Sequence, residues 1–199
     1  DIAYFSADTT AADTTQKEPF DWQFELDRLD LKNISAEVRM PLDSVLLKTF
    51  VGKAAIAKAK MDIADMLYQV GMAQLDRTVL SYDTDEGEAS PTSFDYRHIA
   101  LNDVSLQAKD ICFHDGDMEL QLVNGSLWER DRFELQRLSG RYRMDRFGFL
   151  LTDLSLATGH SHINGEVRLP WSIFEKDPTA MINLSMDASI GLEDVNYLA

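Results

Sequence analysis

Between residues 149 and 171 apolar positions fall mostly two apart. Phe149, Leu151, Leu154, Leu156, Ile163, Gly165, Val167 and Leu169 alternate with Thr152, Asp153, Ser155, Asn164, Glu166 and Arg168. A period of two marks strands with one apolar and one polar face. The off-step from Leu151 to Leu154 predicts a β-bulge, where an extra residue restores the alternation. Thr158-Gly159-His160 supplies turn chemistry between two strands.

Most of the chain follows the same plan. Trp22, Phe24 and Leu26 alternate, the pattern slips at Arg28, and it resumes through Leu29, Leu31, Ile34, Ala36, Val38 and Met40. Residues 42–51 fit a helix instead, since Leu42, Val45, Leu46, Thr49 and Phe50 share one helical face between Pro41 and Gly52. Residues 53–66 are rich in Ala, yet Ala55, Ala57, Ala59, Met61 and Ile63 alternate with Lys58, Lys60 and Asp62 and predict a strand. Val70, Met72, Leu75, Val79, Leu80 and Tyr82 read as one or two more, before an acidic loop over 83–92. Ile99 and Leu101 lead through an off-step to Val104, Leu106 and Ala108, then to Ile111 and Phe113. Asp115-Gly116 and Asn124-Gly125 are both hairpin signals, with Met118, Leu120 and Leu122 alternating between them. Leu135, Leu138 and Tyr142 continue the pattern, and Ile182, Leu184, Met186, Ala188 and Ile190 make the last strand.

Residues 1–19 are polar and without a period, and read as a lead-in or linker to a single β-rich domain over 20–199. Within that domain the spacing predicts roughly ten to twelve short strands and one or two short helices. The predicted fold is mainly β: an antiparallel, curled sheet, either a trough or closed like a sandwich. So few helices cannot cover the apolar faces, so the sheet must fold on itself, pack on another sheet, or leave a trough facing something apolar.

Charge narrows the partners. The chain carries 34 Asp plus Glu against 19 Lys plus Arg, a formal net charge of −15. Nucleic acid is disfavoured, because binding it needs basic residues that neutralise phosphates. A polybasic dock on anionic headgroups is disfavoured for the same reason, which leaves acyl chains as the lipid contact. No apolar run approaches the roughly 18 residues of a membrane helix. The single cysteine, Cys112, excludes an internal disulfide, and its neighbours Ile111 and Phe113 predict a packed thiol. With Asp1 rather than Met at its start, the chain reads as a piece of a longer protein.

Catalytic and metal-binding patterns are weak. Gly159-His160-Ser161-His162-Ile163 lacks the fifth-position Gly of a nucleophile elbow, and a strand rather than a helix follows it. His160 and His162 share a strand face, with Cys112, His114, Asp115 and Asp117 as further zinc donors, but no spacing joins the two groups. The acidic loop has Glu88 and Phe94 where a calcium loop needs Gly and Glu. The residues predict no catalytic site, metal or cofactor.

Four stretches are similar to the periplasmic repeat region of the AsmA-like superfamily, most closely its TamB-type translocation and assembly module proteins. Phe24-Glu25-Leu26-Asp27-Arg28-Leu29-Asp30-Leu31-Lys32-Asn33-Ile34 resembles the strand that introduces a layer, and the stretch from Gly52-Lys53 to Asp62-Ile63 the strand that follows it. Residues 147–163 resemble a step of strand, Thr-x-x-Ser turn and strand, and residues 188–198 a closing strand with an Asp-led turn. The resemblance spans residues 20–199. It implies a lengthwise-curled sheet with an apolar interior, a periplasmic body whose parent is anchored in the inner membrane, and a part in phospholipid movement or outer-membrane assembly.

The leading expectation is therefore a non-enzymatic segment of an envelope-spanning conduit for phospholipid acyl chains. Its predicted lining is Phe149, Leu151, Leu154, Leu156, Ile163, Val167, Leu169, Leu120, Leu122, Leu184 and Met186. Packing in a closed core is the other account of these residues. Two further functions stay open. One is a scaffold that binds nascent outer-membrane proteins, with barrel assembly proteins as partners, by strand pairing at an exposed edge. The other is a surface β-sandwich for carbohydrate or a protein partner, which Trp22, Trp128 and Trp171 would favour if exposed together.

Overall fold

The computed structural model describes residues 22–40, 44–84, 87–90, 92–175 and 179–199; the predicted lead-in at 1–19 lies outside them. Nine strands follow in chain order: β1 (Gln23–Met40), β2 (Val45–Asp62), β3 (Leu67–Thr84), β4 (His98–His114), β5 (Asp117–Glu129), β6 (Phe133–Asp145), β7 (Gly148–Thr158), β8 (His162–Pro170) and β9 (Asn183–Ser189). Each pairs antiparallel with its neighbours in the chain, giving one open sheet in the order β1 to β9. A 3₁₀ turn (Trp171–Ile173) follows β8, and helix α1 (Leu192–Leu198) ends the chain. The mainly β, curled antiparallel sheet with short helices is as expected, but it does not close as a sandwich. Among the described residues β1 and β9 are free edges.

Nine long strands replace the ten to twelve short ones because most off-steps lie inside strands, at left-handed residues. Asn33 (φ 54°), Asp103 (48°), Asp110 (52°) and Asp153 (52°) stand in the off-steps, and Lys58 (55°) and Arg77 (52°) have the same conformation. One such residue turns the backbone so that the apolar residues on either side of the step keep to one face. Asn and Asp tolerate this region better than other side chains do.

These positions line up across strands. Asn33 faces Gly52, between the pairs Lys32–Lys53 and Ile34–Val51. Gly52 in turn faces Arg77, where a Cβ would lie 2.9 Å from the Arg77 carbonyl oxygen. Six residues along β2, Lys58 faces Gly71, and Gly71 faces Asp110. The glycine gives the left-handed neighbour the space a Cβ would fill. Two transverse creases thus run across the longest strands and divide them into a floor and two walls.

Several expectations are corrected. Residues 45–51, expected to be helical, belong to β2. Val45, Leu47, Thr49 and Val51 also alternate, and β1 and β3 offer a ladder on both sides that overrides local helix preference. Asn124-Gly125 is no hairpin but the interior of β5: Gly125 is buried between Leu106 and Leu138, and a Cβ there would come 3.0 Å from Leu106 Cδ2. By contrast, Asp115-Gly116 does form the two-residue turn between β4 and β5, both residues having positive φ. Residues 192–198 form α1 rather than an Asp-led turn, with Glu193 and Asp194 in the first turn, where the helix dipole favours acids. Cys112 is half-exposed on the polar face, paired with Gln69 and Glu119, rather than packed with Ile111 and Phe113.

The sheet has almost no closed core. Its only buried apolar residues, among those described, are Ala55, Val104 and Leu154, while Phe24, Leu29, Leu31 and Leu184 are each more than a third exposed.

Candidate functional site: the apolar face of the sheet

Partners in a ladder point to the same side of a sheet, so register defines each face. One unbroken ladder reads Leu31, Ala54, Leu75, Leu106, Gly125, Leu138, Leu156, Ile163 and Ala188, one residue from each strand. A second runs Leu26, Ala59, Val70, Ile111, Leu120, Tyr142, Leu151, Val167 and Leu184, with Ile111 and Leu120 meeting at the irregularity near Asp110. Phe24, Met61, Tyr68, Phe113, Met118, Met144, Phe149 and Leu169 make a third over eight strands. The opposite face carries residues such as Asp30, Gln74, Gln107, Glu119, Arg143 and Arg168.

All eleven residues predicted to line a trough stand on the apolar face. Leu120, Leu122, Leu151 and Leu154 line a cavity of about 730 Å³ that reaches from β2 to β7. Leu156, Ile163, Val167, Leu169, Leu184 and Met186 carry the same face on to β9. Phe149 stands at the lip, its ring 4.3 Å from that of Trp171 and 6.4 Å from that of Phe174. The Trp171 indole is fixed by donating to the Asp145 carbonyl at 2.7 Å.

The prediction missed the other half of the cavity: Ala54, Ile56, Ala73, Leu75, Leu106 and Ala108. In β2 the alternation of Ala55, Ala57, Ala59 and Met61 does not keep to one face. Ala55 and Ala57 point to the polar face, and Lys58 resets the phase so that Ala59 and Met61 point inward. The signal that could have found this is Ala54-x-Ile56 followed by a step of three to Ala59, the spacing seen at Leu151 and Leu154.

Tyr142 is the polar exception on this wall. Burial pushes its phenol above the ordinary value, and its hydroxyl makes no hydrogen bond among the described residues.

At one rim, α1 rests on the apolar face through polar contacts. Asp194 accepts from Thr158 Oγ1 at 2.5 Å and from the Ser161 hydroxyl. Burial pushes its carboxyl up, but the Ser161 and Thr158 hydroxyls, helped by His160, outweigh that and leave it below the ordinary value. Tyr197 donates to Glu129 and stacks on Phe133 with centroids 5.8 Å apart. Glu129 is only 2 % exposed, and burial raises its carboxyl despite the Ala100 N–H and the Arg130 guanidinium 3.3 Å away.

The residues weighed for metal or carbohydrate binding are not brought together. His160 pairs with Glu193 at 2.8 Å, and no metal-holding group of three or more His, Cys, Asp or Glu occurs among the described residues. Trp22 lies just before β1, Trp171 follows β8, and Trp128 lies on the opposite face between Asn102 and Glu134. No described helix is long and apolar enough to cross a membrane. Comparison with protein-family models, curated proteins and solved structures finds no match to the chain.

Proposed function

We propose that the chain is a segment of an apolar conduit for phospholipid acyl chains, working in the periplasm as part of a protein anchored in the inner membrane. The observation that carries this reading is the continuity of the ladders, which cross all nine strands and, among the described residues, are covered only at one rim by α1. An acyl chain on this face gains about 0.8 kcal/mol per methylene removed from water. Eight strand spacings of about 4.8 Å make a path of roughly 38 Å along which a chain slides without re-entering water. The resemblance to the AsmA-like superfamily supports the same reading.

The test is to purify the chain from a Gram-negative periplasm and extract it with organic solvent. Stoichiometric phospholipid is expected. A lipid-free chain that also fails to take up a fluorescent fatty acid refutes the conduit.

A second reading has the edge of β1 in its favour, unpaired among the described residues, eighteen residues long and exposed throughout. Long unpaired edges template strand addition, so nascent outer-membrane proteins would pair there. Photocrosslinkers along β1 that capture such chains, with none captured from the trough, would favour this scaffold role.

A further inference from the structure

We infer that α1 and residues 92–97 form a strap that lifts as one unit from the rim of the trough and admits acyl chains from the side. The inference rests on the acyl-chain reading above. Of the seven buried polar or charged residues among those described, six stand at this rim: Asp95, His98, Glu129, Thr158, Ser161 and Asp194. Their bonds join the helix to the loop. Tyr197 on α1 donates to Glu129, and the Phe94 N–H donates to the Tyr197 carbonyl at 2.6 Å. Arg130, beside Glu129, donates to the Ser90 carbonyl at 2.7 Å and to the His98 carbonyl. Asp95 accepts from the N–H groups of Ser90 and Arg97 and folds the loop onto itself.

α1 is amphipathic the wrong way round for a helix packed into a core. Leu192, Val195 and Leu198 share one helical stripe and are 71 %, 45 % and 55 % exposed, whereas Asp194 is 8 % exposed. The helix is therefore held by polar anchors, and no side chain caps its first turn. On opening, water takes over the bonds of such anchors, so the net loss is small. Elements with few buried apolar contacts open locally at far lower cost than the whole fold. What the strap covers, by contrast, is mostly apolar. Leu80, Leu101, Glu129 and Phe133 form a further ladder on the trough side, and the Tyr197 ring lies over Phe133 at 7° from parallel. Lifting α1 bares Phe133 and carries the apolar wall to the ends of β5 and β6.

The test combines amide hydrogen exchange by NMR with stopped-flow uptake of a fluorescent fatty acid, both on the purified chain. The amides of Phe94, Val195 and Ala199 are expected to share one opening constant, about a hundredfold or more above that of β6 and β7. Asp194→Ala cuts the bonds to Thr158 and Ser161, yet it should speed exchange at Phe94 about tenfold and uptake about threefold, with β6 and β7 unchanged. Tyr197→Phe removes only the hydroxyl that meets Glu129 and should act in the same direction. It keeps the proposal testable where Asp194→Ala does not fold. Exchange at Phe94 that stays at the parent rate, or uptake that fails to quicken when exchange does, overturns the strap and leaves the conduit standing. A parent chain that takes up no fatty acid overturns the conduit, and the strap's role with it.

Discussion

Thr158 at the end of β7 donates its hydroxyl to Asp194 on α1 at 2.5 Å, joining residues thirty-six apart in the chain. α1 has only seven residues, too few to be helical alone, so its docking depends on such contacts. Buried hydrogen bonds to a charged group are worth about 1.5–3 kcal/mol each. Asp194→Ala should therefore release α1 at a cost on the order of 3 kcal/mol, seen as faster hydrogen exchange at the amides of Val195 and Ala199. The Asp194 carboxyl lies below its ordinary value when folded, so its contribution is complete above the unfolded value and fades as pH falls through the folded one. Docked α1 at the most acidic end of a titration would refute this.

Glu129 has the opposite sign. Burial raises its folded carboxyl, so stability is greatest below the ordinary carboxylate range and declines as pH rises through the raised value. Glu129→Gln keeps an acceptor for Tyr197 and removes the charge. At neutral pH it should stabilise the chain by on the order of 1 kcal/mol, and the melting temperature should depend less on pH. A lower melting temperature would mean that the nearby Arg130 more than offsets the burial.

The creases predict which residues each position tolerates. A non-Gly residue in the left-handed region costs roughly 1–2 kcal/mol, less for Asn and Asp. Lys58→Gly and Arg77→Gly should each raise stability by about 0.5–1 kcal/mol, the relief outweighing the entropy cost of glycine. Asp153→Val should lower it by about 2 kcal/mol, although the Asp153 side chain is 76 % exposed and its 3.5 Å pairing with Arg141 contributes little. Equilibrium urea unfolding of the three variants decides the matter. A harmless valine at 153 would mean that the crease is not a backbone constraint.

The same creases explain how much was legible beforehand. Residues 149–169 show their face because the one off-step, at Asp153, falls on a residue type that marks left-handed backbone. Lys58 and Arg77 carry no such mark, so the phase of β2 is hidden and Ala54 and Ile56 pass for outward residues. The preference of residues 45–51 for strand lies in β1 and β3, and no local window contains them. Gly125 looks like a turn because glycine opens turns and makes room for a neighbour equally well; only the pairing with Leu106 and Leu138 tells these apart. The trough is readable as a sum of one-sided strands, whereas its openness depends on there being no second layer among the described residues, which no pattern of alternation encodes.

Leu150 and Leu151 are neighbours in β7 on opposite faces. Leu151 stands between Tyr142 and Val167 in the trough, and Leu150 between Arg143 and Arg168 on the polar side. An aspartate at each position tests whether the face, rather than hydrophobicity in general, carries lipid binding. Leu151→Asp puts a charge against the acyl chains and removes apolar contact worth about 2 kcal/mol, so phospholipid retention should fall tenfold or more. Leu150→Asp places the same charge between two arginines and should leave retention within twofold, with stability unchanged or slightly higher. Retention measured by quantitative lipid extraction, beside circular dichroism of both variants, separates loss of binding from loss of fold. Equal losses in two folded variants would mean that the ladder through Leu151 is not where lipid lies.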